Sequence, residues 1–502
     1  MVSSDDIEAM VSSAALVMVG TVLSSVSGLF ERIIIGRTLG PSKYGVISAA
    51  LAVVTLSATI SMFGLTQGIP RYMSRFESAS EKRGVWVSGM LVAVTLSAIV
   101  TAILLIFSKE LSRLVLGGSE ATTVFRIIVL TVPLLTILKI SIGGIRGEEI
   151  TIYRTYAQDL LYPISRIGLL SIFLFMGLGA VSASFAYTGG ALIASILSIF
   201  LLNKVIPLNG EIEWRFQELI YYSAPLIISM VMSILLTRTD TLMIGYFQTS
   251  TDVGLYSAAY PVAAGLQLVL SSFGFLYLPL ASRLDSNDKR NETESIYRLT
   301  TKWIYIITFP GFVVMVLFPD QILGLFWGEN FKKAGLALSI LSIGFFSSAA
   351  AGRNRETVSA FGYTKYVMYA NTFAFTMNIL LNIYLIPRHS YIGASIASAI
   401  SFISLNIFVY VVLEFKFDIN PFSEYNIKTF MSLPIGILLP LALLRTIAEF
   451  SGITVLVLLP FIGVASLFLI VLVGGLQPDD ELLISAIEDK TSIKIPYVRS
   501  WL

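Results

Sequence analysis

Residues 167–203 read IGLLSIFLFMGLGAVSASFAYTGGALIASILSIFLLN, 37 residues without a single charge. A helix of that length would rise about 55 Å at ~1.5 Å per residue, far more than a ~30 Å hydrocarbon core requires. The run is therefore two spans. Gly177-Leu178-Gly179 lies where they must join, and its two glycines suit a turn too short to count as a loop. That stretch decides the fold class, because a chain that crosses a membrane twice within 37 residues is built from short-coupled membrane helices.

The composition agrees. Of 502 residues 55% are hydrophobic and only 13% charged, and the mean hydropathy is +0.81. Soluble domains carry about a quarter charged residues, so a soluble globular protein and a disordered one are both excluded. The 34 Lys and Arg against 32 Asp and Glu leave +2, which excludes a strongly basic nucleic-acid binder. With no cysteine there is no disulfide, thiol catalysis or Cys-ligated metal. The single histidine, His389, disfavours His-based catalytic dyads and metal sites. No GxxxxGK[ST] loop or HExxH pair occurs, so no cofactor, no metal and no enzyme activity is expected.

Outward from the decisive run, the same reading gives fourteen spans. They fall near 11–35, 44–66, 84–107, 121–142, 156–177, 180–202, 217–247, 253–278, 299–319, 334–352, 366–387, 391–413, 428–447 and 452–475. The first ten residues carry Asp5, Asp6 and Glu8 and no cation, unlike a cleaved leader, so the first span is expected to stay. With both termini on one side, that side collects 21 Lys and Arg against 9 on the other, the remaining four lying within spans. The positive-inside bias then predicts cytoplasmic termini.

The chain also repeats itself. Ile35-Gly36 … Tyr44-Gly45-Val46-Ile47-Ser48-Ala49-Ala50 matches Ile244-Gly245 … Val253-Gly254-Leu255-Tyr256-Ser257-Ala258-Ala259 at an offset of 209. The same offset pairs Glu31 with Asp240, Pro70 with Pro279, Gly143 with Gly352 and Arg146 with Arg355. An offset of 214 pairs Gly179-Ala180-x-x-Ala183-Ser184 with Gly393-Ala394-x-x-Ala397-Ser398. Six spans separate the copies, an even number that preserves direction. The expected architecture is therefore an all-α polytopic membrane protein with two parallel six-helix lobes, 1–203 and 204–414. Two extra helices over 415–475 and a cytoplasmic tail over 476–502 complete it. Such lobes suit alternating access.

Charges inside spans cost about 2.5–3.5 kcal/mol each on insertion scales and usually face a cavity or a partner. Span 1 carries Glu31 and Arg32, span 7 Arg238 and Asp240, span 4 Lys139, and span 5 Asp159 and Arg166. Glu31 and Asp240, as repeat mates, are expected to face one another across a central cleft. Each ends a small-residue stripe: Gly20, Ser24, Ser27, Glu31 and Ser229, Ser233, Thr237, Asp240. Close helix packing explains such stripes as readily as a polar cavity wall does. Arg166 is nearest mid-span. It either binds an anionic headgroup or bridges to an acid on another helix, since Asp159 is seven residues away on its own. Asn371, Asn378 and Asn382 share a face of span 11, for interhelical hydrogen bonds or for a wall that meets sugar hydroxyls. Arg146 and Arg355 end spans 4 and 10, where positive-inside bias or phosphate docking would each place them.

Three stretches resemble a known group: Gly36-Arg37-Thr38-Leu39-Gly40-Pro41-Ser42-Lys43-Tyr44-Gly45, Asp240-x-x-Met243-Ile244-Gly245 with Val253-Gly254-Leu255-Tyr256, and Tyr391-Ile392-Gly393-Ala394-Ser395-Ile396-Ala397. Over nearly its whole length the chain is similar to the polysaccharide-flippase branch of the multidrug/oligosaccharidyl-lipid/polysaccharide exporter superfamily. The resemblance implies two lobes around a V-shaped cavity in the plasma (inner) membrane. It also implies a lipid-linked oligosaccharide, carried on polyprenyl or dolichyl phosphate or pyrophosphate, flipped from the cytoplasmic to the outer leaflet. The expected partners are that lipid, the bilayer and a coupling H+ or Na+, with no nucleic acid. A lipid-II-type flippase shares these features, and a multidrug/cation antiporter of the same fold would favour a more acidic cavity. A membrane glycosyltransferase or polymerase needs an extramembrane domain for which no loop here has room.

The cysteine-free background makes topology testable. A cysteine introduced by His389→Cys should react with a membrane-impermeant maleimide added outside intact cells, and reaction only from the cytoplasmic side would overturn the assignment.

Overall fold

The computed structural model describes residues 4–118, 121–287, 289–477 and 480, without side chains for 4–19, 151, 275 and 276. Apart from Leu476, Gln477 and Asp480, the expected tail over 476–502 lies outside the described residues. The described chain is α-helical throughout, with short 3₁₀ and π turns. In order the helices are α1 (Ser4–Ser61), α2 (Leu65–Met73), α3 (Ala79–Ile106), α4 (Ser108–Val115), α5 (Thr122–Val129), α6 (Thr131–Gly147) and α7 (Thr151–Arg154). They continue as α8 (Tyr162–Phe175), α9 (Val181–Val205), α10 (Phe216–Phe247), α11 (Ser250–Ala264), α12 (Gln267–Ser286) and α13 (Arg290–Leu317). The last are α14 (Pro319–Trp327), α15 (Gly335–Ala351), α16 (Asn354–Ala360), α17 (Thr364–Phe417), α18 (Glu424–Leu433), α19 (Leu439–Ile447) and α20 (Gly452–Leu472).

Among the described residues eleven helices are long and apolar enough to cross a membrane, or twelve if the pair Ser250–Ala264 and Gln267–Gly274, bent by 42°, is one span. That count does not itself establish the expected fourteen, and the reason is local. Spans 1 and 2 run together in α1, and spans 11 and 12 in α17. In each, two helices meet at a kink of one non-helical residue, Gly40 (φ 78°, ψ 173°) and Ser390 (φ 51°, ψ −138°). The turn read between spans 5 and 6 is present: α8 ends at Phe175, α9 begins at Val181, and Gly177 and Gly179 both have positive φ.

Two compact units divide the chain, Met1–Ser257 and Ala258–Leu502. In the first, α2, α3, α6, α9 and the start of α10 enclose a core of Leu65, Ile69, Trp86, Leu138, Leu202 and Leu219. Ser78 caps the start of helix α3. Ser78 Oγ accepts from Glu81 N–H (3.2 Å) and donates to the Glu81 carboxylate (2.9 Å). The second unit has an aromatic core in which Tyr305 lies 4.5 Å from Phe430 and 4.9 Å from Phe346, centroid to centroid, and Phe346 stacks on Phe312 at 4.0 Å. Its last segment is tied down by charge. Lys302 of α13 and Asp480 are both fully buried as an ion pair, Trp303 Nε1–H donates to the same carboxylate (2.7 Å), and Lys302 also donates to Gly475 O (3.2 Å). Large apolar side chains such as Phe175, Phe415 and Ile447 are turned outward, as a hydrocarbon solvent permits.

Helices α15 and α17 pack so closely that a Cβ on Gly344 would stand 2.6 Å from Ala399 Cα. Gly344→Val is therefore expected to force them apart at about 1–3 kcal/mol. The check is a lower thermal midpoint of the purified protein in detergent, and an unchanged midpoint would contradict the packing.

Candidate functional site

Charged residues of α1, α6, α7 and α8 come together around one π turn of the first unit. Pro163, at the start of α8, has no N–H to give the preceding turn, and the ladder before it widens to a π turn, Thr155–Leu161, in which Tyr162 N–H reaches Ala157 O. Such widened turns recur at functional sites. This one carries Gln158 and the buried Asp159. Lys139 of α6 donates to Gln158 Oε1 (2.9 Å), Gln158 Nε2–H donates to Asp159 Oδ1 (3.1 Å), and Arg154 Nε lies 3.8 Å from Asp159 Oδ2. Helix α1 can approach because Gly20 faces the turn. A Cβ there would stand 2.9 Å from Thr155 and 3.3 Å from Asp159.

One turn further along α8, Arg166 Nη2 lies 3.1 Å from Glu31 Oε2 of α1, and Glu31 is 1% exposed. The guanidinium sits between two rings, 4.4 Å from the Tyr162 centroid and 4.8 Å from that of Tyr187 on α9. Gly190 makes room, since a Cβ there would stand 2.5 Å from Arg166 Cγ. Of the two roles open to Arg166, the structure supplies the bridge to an acid on another helix. Desolvation is costly for both ions, and the pair is sustained by good geometry and aromatic faces.

Arg32 acts electrostatically on Glu31, Arg146 lies close enough to Arg154 for mutual repulsion, and Lys139 senses both Arg154 and Arg146. Glu148 is taken by Lys82 at 2.8 Å. Among the groups just named, Arg166 is paired with Glu31 and Arg154 lies beside Asp159, while Lys139 is held by the neutral amide of Gln158 and Arg146 is exposed. The Glu31–Arg166 bridge neutralises itself, so the surplus positive charge lies at Lys139, Arg146 and Arg154. Arg154 and Gln158 escaped the sequence reading. The proline after Asp159 was the available signal that the helix would widen there.

The other expected residues stand elsewhere. Asp240 is buried and accepts a hydrogen bond from Tyr256, and Arg238 is half-buried. Glu31 and Asp240 thus have different partners. Asn382 Nδ2–H donates to Asn378 Oδ1 (3.0 Å) and Asn378 Nδ2–H to Ser398 Oγ (3.3 Å), so these amides join the two limbs of α17. At the end of α15, Arg353 rather than Arg355 is the buried cation, donating to Leu270 O at 2.9 Å, and Arg355 is half-buried.

The family described as "Polysaccharide biosynthesis protein" matches residues 10–285, and MatE matches residues 225–384. The "Probable low-salt glycan biosynthesis flippase Agl15" of Haloferax volcanii is 22% identical over 368 residues, 73% of this chain and 75% of that one. The lipid II flippase MurJ, in an inward closed conformation, superposes with a TM-score of 0.72 at 15% identity, over 90% of this chain and 97% of the other. An inward-facing multidrug resistance MATE family transporter of the MOP superfamily superposes with a TM-score of 0.62 at 15% identity, over 76% and 92%. These likenesses assign the helical membrane fold.

The Glu31–Arg166 bridge yields a thermodynamic test. Arg166→Met leaves the buried Glu31 carboxylate without its bridging cation and should cost about 3–5 kcal/mol. Adding Glu31→Gln should recover most of that loss in thermal midpoint. Equal, additive losses from the two single changes would refute the bridge.

Proposed function

The chain belongs to the polysaccharide biosynthesis protein family, and from that membership we propose that it flips a lipid-linked glycan precursor from the cytoplasmic to the outer leaflet. The observation that carries the reading is the surplus positive charge at Lys139, Arg146 and Arg154 beside the π turn. Cations that repel one another at the edge of a hydrocarbon phase are stabilised by an anion, and the phosphate or pyrophosphate of a polyprenyl or dolichyl carrier is such an anion. Arginine forks contact phosphate oxygens in pairs, and Lys139, already held by Gln158, supplies a point charge. A drug-cation antiporter would be poorly served by the same surplus. The flippase named among the relatives points to the same cargo class.

In this proposal Glu31 and Arg166 brace α1 against α8 and hold the tyrosines beside the headgroup. Arg32, Arg238 and Asp240 contribute to the polar path, Asn378 and Asn382 brace α17, and Arg355 repeats the docking role of Arg146. Each long helix, α1 and α17, crosses twice, which makes fourteen spans in lobes 1–203 and 204–414 plus an extra pair. Both termini lie in the cytoplasm of a plasma-membrane protein, as the 21 to 9 distribution of cations in the loops favours. A coupled H+ or Na+ gradient supplies the drive.

Depletion of the protein should leave a lipid-linked sugar on the cytoplasmic face. Wild type and Lys139→Arg should relieve that accumulation. The double variant Lys139→Ala/Arg154→Ala, at equal protein level, should lower surface delivery of the glycan at least about tenfold, the loss of roughly one charge-assisted bond. Full delivery by the double variant would overturn the assignment of the headgroup to these residues.

A further inference from the structure

Away from the π turn, the first unit holds a cavity of about 610 Å³. The kink of α1 at Gly40 to Lys43, the link between α4 and α5 at Gly117 and Gly118, and Ser250 at the start of α11 line it. All three are connections between spans, so the cavity lies at the level of lipid headgroups and not in the hydrocarbon. Close backbone approaches shape its wall. A Cβ on Gly45 would penetrate Ser250 O, and one on Gly254 would penetrate Pro41 O. A Cβ on Gly117 would stand 2.9 Å from Ser250 Cβ. These approaches bring the Ser42 and Ser250 hydroxyls within 3.0 Å of one another. A Cβ on Gly40 or Gly118 would meet nothing within 4 Å, so both face open space and answer to positive φ (78° and 146°). In the second unit the helix after α13 also ends on a glycine, Gly328 (φ 98°), but there Trp327 and Phe331 are buried. The repeat therefore does not dictate small residues at this corner.

Among the described residues Lys43 is the one charged side chain of the lining, and it makes no ion pair. Asp252, two residues past Ser250, accepts from Thr249 N–H (3.2 Å) and from the Thr249 hydroxyl. Glu120 lies outside the described residues. An ammonium without a carboxylate beside it favours an anion, and phosphate is one that lysine binds as a point charge. The Ser42 and Ser250 hydroxyls keep free lone pairs after bonding to each other, so they can meet hydroxyls of a ligand. Leu39, Val46, Leu116 and Val124 form an apolar wall. A free phosphate ester has nothing to lay against that wall, whereas the root of an acyl chain does. The volume is in the range of small-molecule sites and exceeds what a bare phosphate fills. A zwitterionic headgroup would bring an ammonium for which the described lining offers no carboxylate. We propose that the cavity binds an anionic glycerophospholipid whose headgroup carries hydroxyls and no amine. Its phosphate lies on Lys43, its headgroup hydroxyls on Ser42 and Ser250, and its acyl root along the apolar wall. Basic pockets between membrane helices take lipid headgroups by the same chemistry.

The chain has no cysteine, so Ala180→Cys places a single thiol on the cavity lining. The full-length variant is reconstituted in phosphatidylcholine vesicles with or without phosphatidylglycerol, and its reaction with an uncharged, impermeant polyethylene glycol maleimide is timed. Phosphatidylglycerol should slow labelling about tenfold, the strength of one charge-assisted bond. Adding Lys43→Gln should abolish the slowing, while adding Lys43→Arg or Glu120→Gln should preserve it. Equal rates with and without phosphatidylglycerol, fast or slow, would overturn the site. So would a slowing that survives Lys43→Gln, its loss in Lys43→Arg or Glu120→Gln, or an equal slowing at His389→Cys, an exposed position outside the cavity. Glycerol phosphate added to the phosphatidylcholine vesicles should leave the rate unchanged. Slowing by glycerol phosphate equal to that by phosphatidylglycerol would assign the cavity to a soluble phosphate ester and overturn the lipid.

Discussion

In hydrocarbon a backbone N–H or C=O without a partner costs several kcal/mol, and no water is at hand to supply one. Every departure from straight helix in this chain answers to that constraint. Gly40 and Ser390 interrupt α1 and α17 for one residue each. Among the described residues two π turns, Thr155–Leu161 and Pro434–Leu438, widen the ladder without abandoning it, the first ending two residues before Pro163 and the second beginning at a proline. Glycine supplies the unusual dihedral at Gly40, and a proline stands within three residues of each of the other breaks, Pro387 before Ser390 among them. The packing follows: where a helix keeps its own bonds, neighbours can come close only by losing side chains. Gly45, Gly254 and Gly344 mark three such approaches.

The same solvent decides the fate of charge. An ion can stay among these helices only when it is paired, faces an aromatic surface or reaches water. Arg166 uses the first two of these, through Glu31, Tyr162 and Tyr187. Asp159 is shared between Gln158 and Arg154 and cannot fully neutralise both Lys139 and Arg154. The bridge above the π turn closes on itself while the group below it remains short of anions. This asymmetry within a single stretch of helix separates a structural ion pair from the place proposed above for the cargo headgroup.

Span positions, the Gly177-Leu178-Gly179 turn and the class of fold were legible because hydrocarbon thickness acts on residue counts directly. The tightness of the kinks within α1 and α17 was not, since a break of one residue looks in sequence like any short glycine- or serine-bearing link. Glu31, Arg166, Lys139 and Asp159 could be singled out by cost alone. Which of them meet could not be, because pairing depends on how α1, α6 and α8 turn about their axes, and periodicity leaves that rotation open. Arg154 was assigned to a loop and so weighed only as a topological charge. Asn378 and Asn382 show the converse. Their shared face was readable, but not that Ser398, on the far limb of the same helix, folds back to meet them.

The ion pair between Lys302 and Asp480 has a consequence for biosynthesis. The two residues are 178 positions apart, and a ribosome adding about 5–20 residues per second needs on the order of ten to forty seconds to pass from one to the other. Throughout that interval the lysine has been made and its carboxylate has not. The Lys302–Asp480 pair can therefore close, and with it this part of the second unit, only after Asp480 has been translated.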